Sequence, residues 1–167
     1  MLLSRLLPDR TPLLPGPIHL GIHLAQAALC TALAVGLGRA FAVPVFDLPL
    51  SGFLRFFAGF VAGCGLVAVA FAVAVRALAR RRGLPFVPRA EAEAGFQAWV
   101  QGLSRARWCA LYAVPHAAIL TLMLTQLQER ENLLTRPGLV LAPMPLLAFA
   151  LFVLVICLMR RRLAVLV

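Results

Sequence analysis

Lysine is absent from this chain: all sixteen basic residues are arginine. Acids are scarce too, six in all, and charged residues make up only 13% of the 167 positions. Soluble domains carry about a quarter charged residues, so an ordinary water-soluble globular fold is excluded. Disorder is excluded as well, because 62% of the residues are hydrophobic and the mean hydropathy is +0.94, the opposite of the low hydrophobicity that keeps a chain unfolded. No CxxC or other close cysteine pair occurs. Cys30, Cys64, Cys109 and Cys157 stand 34, 45 and 48 residues apart, which removes zinc-site and thioredoxin-like readings. Each lies in an apolar run, where a thiol behaves as a small hydrophobe, so a structural role is expected and the spacing gives no support for disulfides.

What the chain does have is four long uncharged stretches: residues 18–38, 56–75, 108–127 and 138–159. A helix needs about 20 predominantly apolar residues to cross a hydrocarbon core of ~30 Å. A spanning segment must also satisfy its own backbone polar groups, which makes each run a helix. The length suits one domain. The expected fold is therefore an all-α membrane protein, a single polytopic domain over residues 1–167 with four transmembrane helices.

The arginines give the orientation. Arg5, Arg10, Arg76, Arg80, Arg81, Arg82, Arg89, Arg105, Arg107, Arg160, Arg161 and Arg162 fall on one side of the expected bilayer, and Arg39, Arg55, Arg130 and Arg136 on the other. Counting Asp9, Glu91 and Glu93 against the first group and Asp47, Glu129 and Glu131 against the second leaves +9 facing +1. Positive charge stays cytoplasmic, so both termini and the central loop are expected inside, in a cell inner membrane. The net charge of +10 is thus read as topology, with no nucleic-acid partner. The first run is longer than a signal-peptide core, and its leader holds Pro8, Pro12, Pro15 and Pro17. Retention of this span is expected, although Ala40 and Ala42 leave a cleavage site available.

Between the second and third spans, Arg80-Arg81-Arg82 precede the breakers Gly83, Pro85 and Pro88. Phe96, Trp99, Val100 and Leu103 then recur at helical spacing, predicting an amphipathic helix over residues 90–105. Trp99 and the nearby arginines suit the cytoplasmic headgroup layer, and the arginine triplet suits anionic lipid. The segment 39–55 is apolar but broken by Pro44 and Pro49; it is expected at the outer interface or over the end of the bundle. Residues 128–137, with Glu129, Arg130, Glu131 and Arg136, read as a short solvated turn.

Polar groups inside a bilayer are costly, so function is sought there. His19, His23, Gln26 and Cys30 fall at i, i+4, i+7 and i+11 of the first span, one face of one helix. His116, nine residues past Arg107, lies about 13 Å into the third span, against about 9 Å for His23 and about 13 Å for Gln26 measured from Pro17. If the two helices touch, His116 faces His23 or Gln26, with Tyr112 one turn earlier on the same face and Pro115 loosening the local hydrogen bonding. Two imidazoles on facing helices can ligate haem b or line a quinone pocket with Gln26 and Tyr112. The competing reading, which we prefer, is that these groups bond across helices and hold the bundle together. Gly59 and Gly63 form a GxxxG pair that admits a neighbouring helix, either within the chain or from a partner or second copy. Thr121 and Thr125 can bond their own i−4 carbonyls, and Pro143 and Pro145 are expected to kink the fourth span. No span carries an Asp or Glu, which removes the usual handle of an ion-coupled transporter.

Three function classes follow. The favoured one is a non-enzymatic accessory, assembly or transporter-component subunit of a larger membrane complex, resting on four spans, short loops and packing faces. A haem- or quinone-binding anchor using His23 and His116 is the second. A small lipid-acting membrane enzyme using His116 or Tyr112 beside the arginine-rich loop is the third, with no catalytic motif to support it.

Overall fold

Proline sets where most of the helices begin. The ring fixes φ near −65° and lacks the N–H that a helix start leaves unused, and extended prolines precede three of the long elements. The computed structural model describes residues 9–128 and 143–162. Pro15 (φ −57°, ψ 142°) precedes α1, Gly16–Arg39. Pro49 (φ −61°, ψ 156°) precedes α2, Leu50–Arg81, and Pro88 (φ −53°, ψ 141°) precedes α3, Arg89–Gly102. Helix α4, Arg105–Gln128, starts instead at Ser104, whose hydroxyl accepts from the Arg107 N–H at 3.2 Å. The described part of α5 runs Pro143–Leu158, with Pro145 in its first turn. A 3₁₀ turn follows at Met159–Arg162.

The chain is mainly helical, and α1, α2 and α4 are long and apolar enough to cross a membrane. At 1.5 Å per residue their 24, 32 and 24 residues measure about 36, 48 and 36 Å. The described part of α5 has 16 residues, about 24 Å, shorter than the other three. Residues 138–142 of the expected fourth span lie outside the described residues, as do Arg5 and the turn expected at 128–137 beyond Gln128.

Several boundaries differ from the sequence expectation for physical reasons. Helix α2 begins six residues earlier than the charge-free run, because Pro49 starts a helix that carries Arg55 along. The central helix ends at Gly102 rather than at residue 105, since Ser104 caps the next helix. That next helix then opens with Arg105 and Arg107 in its first turn.

Helix α2 stops at a Schellman motif. Gly83 takes φ +65°, where glycine lacks the Cβ penalty; its N–H bonds Arg80 O at 3.1 Å and the Leu84 N–H bonds Ala79 O at 3.0 Å. The chain then forms β2, Phe86–Pro88, antiparallel to β1, Arg10–Pro12, with Thr11 opposite Val87. This short ribbon ties the start of the chain to the start of α3. Arg76 donates to Arg10 O at 2.8 Å, and the Arg76 and Arg80 guanidinium groups lie 5.5 and 5.8 Å from the centre of the Phe86 ring.

The helices meet chiefly as a row: α2 on α1, α1 on α4, and α4 on α5. The α1–α2 contact runs through the glycine pair. Leu37 reaches 3.7 Å from where a Cβ on Gly59 would stand, and Leu33 occupies the place of a Cβ on Gly63. That face of α2 is therefore filled from within the chain. The most apolar stretch of α2 otherwise has no buried residue.

Apolar clusters close the two ends. Leu20, Phe96, Val100, Trp108 and Tyr112 pack together where α3 crosses α1 and α4. Ala34, Val45, Phe56 and Leu127 pack at the opposite end, where a 3₁₀ turn at Val45–Asp47 tucks Val45 over the helices. The apolar 39–55 segment thus covers the end of the bundle in part, and its last residues belong to α2.

Candidate functional site

The polar stripe of α1 points inward. His19, His23 and Gln26 are 2%, 6% and 7% exposed, while Cys30 is half-buried. The face is buried because α3 and α4 both pack on it. Phe96 of α3 lies against two imidazoles, 5.0 Å from His19 and 5.9 Å from His23, the second nearly parallel at 13°. Tyr112 of α4 meets His23 edge-on at 6.0 Å and His116 at 5.0 Å, and the Trp108 ring lies tilted against it at 4.7 Å and 37°. The rings His19, Phe96, His23, Tyr112 and His116 form one continuous chain through three helices.

Of the residues singled out in the sequence, His23 and His116 both pack on Tyr112, and Gln26 is buried on the same α1 face. Tyr112 is the α4 ring that meets His23, because it lies one turn before His116 on the same helix face. Its ring packs on both imidazoles. A porphyrin held between His23 and His116 would have to displace it, so the residues as arranged do not fit a bis-histidine haem. Among the described residues no group of three or more His, Cys, Asp or Glu is placed to hold a metal ion.

Several buried polar atoms of this region have no hydrogen-bond partner: His19 Nδ1, Gln26 Nε2, Trp108 Nε1, His116 Nδ1 and Thr121 Oγ1. Each such atom costs about 1–3 kcal/mol. Thr125 bonds the Thr121 carbonyl at 2.9 Å, as its spacing predicts. Thr121 does not bond its own i−4 carbonyl, and its hydroxyl is one of these orphans.

Helix α4 is also irregular here. A π turn spans Cys109–Ala113, with the Val114 N–H bonded to Cys109 O. Pro115 supplies the reason: it has no N–H to give the carbonyl four residues back, so the ladder is already interrupted and a wider turn is tolerated.

The cysteines hold a feature that the linear spacing hides. Cys109 and Cys157 face each other across α4 and α5 with their sulfurs 3.2 Å apart, and Cys64 of α2 lies beside Cys30 of α1. All four are free thiols. Matching depths was the missed signal. Cys109 and Cys157 each lie two or three residues from an arginine at the same end, and Cys30 and Cys64 each lie near mid-helix.

A cavity of about 860 Å³ opens beside the first pair, lined by Gln101, Arg105, Trp108, Cys109, Cys157, Leu158 and Arg160. Arg160 closes one wall. It donates to Val100 O at 2.6 Å and to the Gln101 and Leu103 carbonyls, ending α3 with a cation. Its guanidinium stands 6.0 Å from the Trp108 ring centre.

The fold and site define a helical protein with three membrane-span candidates and a polar core made of aromatic and imidazole rings. No protein-family model, curated protein or solved structure matches the chain.

Proposed function

We propose that this chain is a small multi-pass subunit of a larger membrane complex, with an accessory or assembly role and no catalysis of its own. The observation that carries this reading is α2. It runs 32 residues, leans chiefly on α1, and its most apolar stretch has no residue buried within the chain. A helix committed so little to its own bundle is available to a second membrane protein or a second copy. Since Leu33 and Leu37 fill the Gly59/Gly63 face, the partner takes the remaining sides of α2.

The reading extends to topology. α1, α2, α4 and a fourth helix containing α5 cross an inner membrane, and the end carrying Arg10, Arg76, Arg80, Arg81, Arg82, Arg89, Arg105, Arg107 and Arg160 faces the cytoplasm. Helix α3 buries Ala92, Phe96 and Val100 and turns Glu91 and Gln101 outward, a division that suits the headgroup layer. Arg80, Arg81 and Arg82 then lie where anionic lipid is met.

Purification of a tagged copy in mild detergent, followed by native mass spectrometry, tests the proposal. It predicts a stoichiometric partner chain or a defined homo-oligomer. A lone monomer that stays monomeric in lipid nanodiscs would refute it.

The orphaned His19, Gln26 and His116 atoms favour one second reading, a quinone headgroup hydrogen-bonded at that face. Bound quinone extracted from the wild type and lost in both His19→Ala and His116→Ala supports it; quinone-free protein from native membranes rejects it, and a Soret band would revive haem with Tyr112 displaced.

A further inference from the structure

We propose that Cys109 and Cys157 form a redox-modifiable dithiol, converted to an intramolecular disulfide by low-molecular-weight disulfides of the glutathione class. Three observations on different elements meet here. The sulfurs already touch at 3.2 Å across the α4–α5 contact, about an ångström beyond the S–S bond length of ~2.05 Å. Both residues line the 860 Å³ cavity at the arginine-rich end of the bundle, so the pair is reached from that end. Arg105 and Arg160 line the same cavity, and oxidised glutathione, with more carboxylates than ammonium groups, is net negative, so charge draws this oxidant to these thiols.

The chemistry balances with the oxidant named. The thiolate of either cysteine, formed by loss of a proton to water, attacks one sulfur of oxidised glutathione. That S–S bond breaks and one glutathione thiolate leaves, taking up a proton. The second cysteine, having also lost its proton to water, then attacks the protein sulfur of the mixed disulfide and expels the second glutathione thiolate, which takes up a proton. Two protein thiols are oxidised by two electrons, and one glutathione disulfide is reduced to two thiols.

The second pair serves as an internal control. Cys30 lies 14 residues into α1, about 21 Å from Gly16, beside Cys64 in the apolar middle of two helices. With α1 and α2 in a bilayer, as proposed above, a charged oxidant in water has no route to it. The reactive pair also has a structural consequence. Arg160, three residues beyond Cys157, holds the last carbonyls of α3, so a bond at Cys157 fixes the element that docks α3.

The test uses the full chain in lipid nanodiscs, which leave both faces open. Oxidised glutathione is added, remaining thiols are alkylated with a maleimide, and peptides are mapped by mass spectrometry. The expected result is loss of two alkylatable thiols and one linked peptide pair joining Cys109 to Cys157, reversed by dithiothreitol. Cys109→Ser is expected to stop at a glutathione adduct on Cys157, a readout that does not depend on the double thiol. Four alkylated cysteines after treatment, a linkage through Cys30 or Cys64, or only intermolecular dimers would overturn the proposal.

Discussion

Gly59 and Gly63 belong to one motif on one helix, yet the same substitution should act differently at each. Alanine at either position gains about 1 kcal/mol of helix propensity over glycine, and this gain is common to both variants. The surroundings differ. A Cβ at Gly59 meets Leu37 at 3.7 Å, ordinary van der Waals contact, whereas at Gly63 it falls on the Leu33 side chain. Leu33 must leave its rotamer or α1 must move, a strain of about 1–3 kcal/mol. Subtracting the shared gain, Gly59→Ala is expected to be neutral or stabilising, and Gly63→Ala less stable than Gly59→Ala by about 1–3 kcal/mol.

The assay is reversible unfolding of the purified protein in mixed micelles titrated with denaturing detergent. Gly65→Ala, with nothing within 4 Å of the added carbon, is the control for propensity alone. Truncating the obstacle should remove the strain, so Leu33→Ala with Gly63→Ala gives a double-mutant coupling of about 1–3 kcal/mol. Equal stabilities for the Gly59 and Gly63 variants, within about 0.5 kcal/mol, would refute the packing of α1 on α2 described above.

Three further outcomes follow from the arginine-rich end. Phe96→Ala removes the ring between His19 and His23 and is expected to cost about 3–5 kcal/mol, read as protease cleavage within residues 89–102 that the wild type resists. Ser104→Ala deletes the α4 cap and costs about 0.5–2 kcal/mol, with faster amide exchange at Arg107 as the local readout. Arg160→Ala frees three carbonyls at the end of α3 and is expected to cost about 1.5–3 kcal/mol; unchanged Trp108 fluorescence and unchanged exchange at residues 100–103 would contradict its docking role.

The long helices were legible because length and hydropathy act over many residues. The runs 18–38, 56–75 and 108–127 each lie inside a helix found in the fold. Their ends were less legible, since charge-free stretches mark what suits lipid and caps mark where helices begin. Pro49 and Ser104 carried that information, and they extended α2 and α4 through Arg55 and Arg105 respectively. The histidine stripe was legible from periodicity alone; Tyr112, one turn before His116, is the ring of α4 that meets it. Phe96 as the ring joining His19 to His23 was not, because that contact depends on how α3 folds back across α1. The cysteine pairs were missed for the same reason: spacing along the chain says little about thiols on antiparallel neighbours at equal depth.

The orientation of the bundle decides most directly between the account and its alternatives. With the four native cysteines replaced by alanine, Asp47→Cys and Glu91→Cys place single thiols at exposed positions at opposite ends of the fold. A membrane-impermeant maleimide applied to intact cells should label the first, and should label the second only after lysis. Labelling of both from the same side, or of the Glu91 position alone in intact cells, would contradict an arginine-rich end held in the cytoplasm.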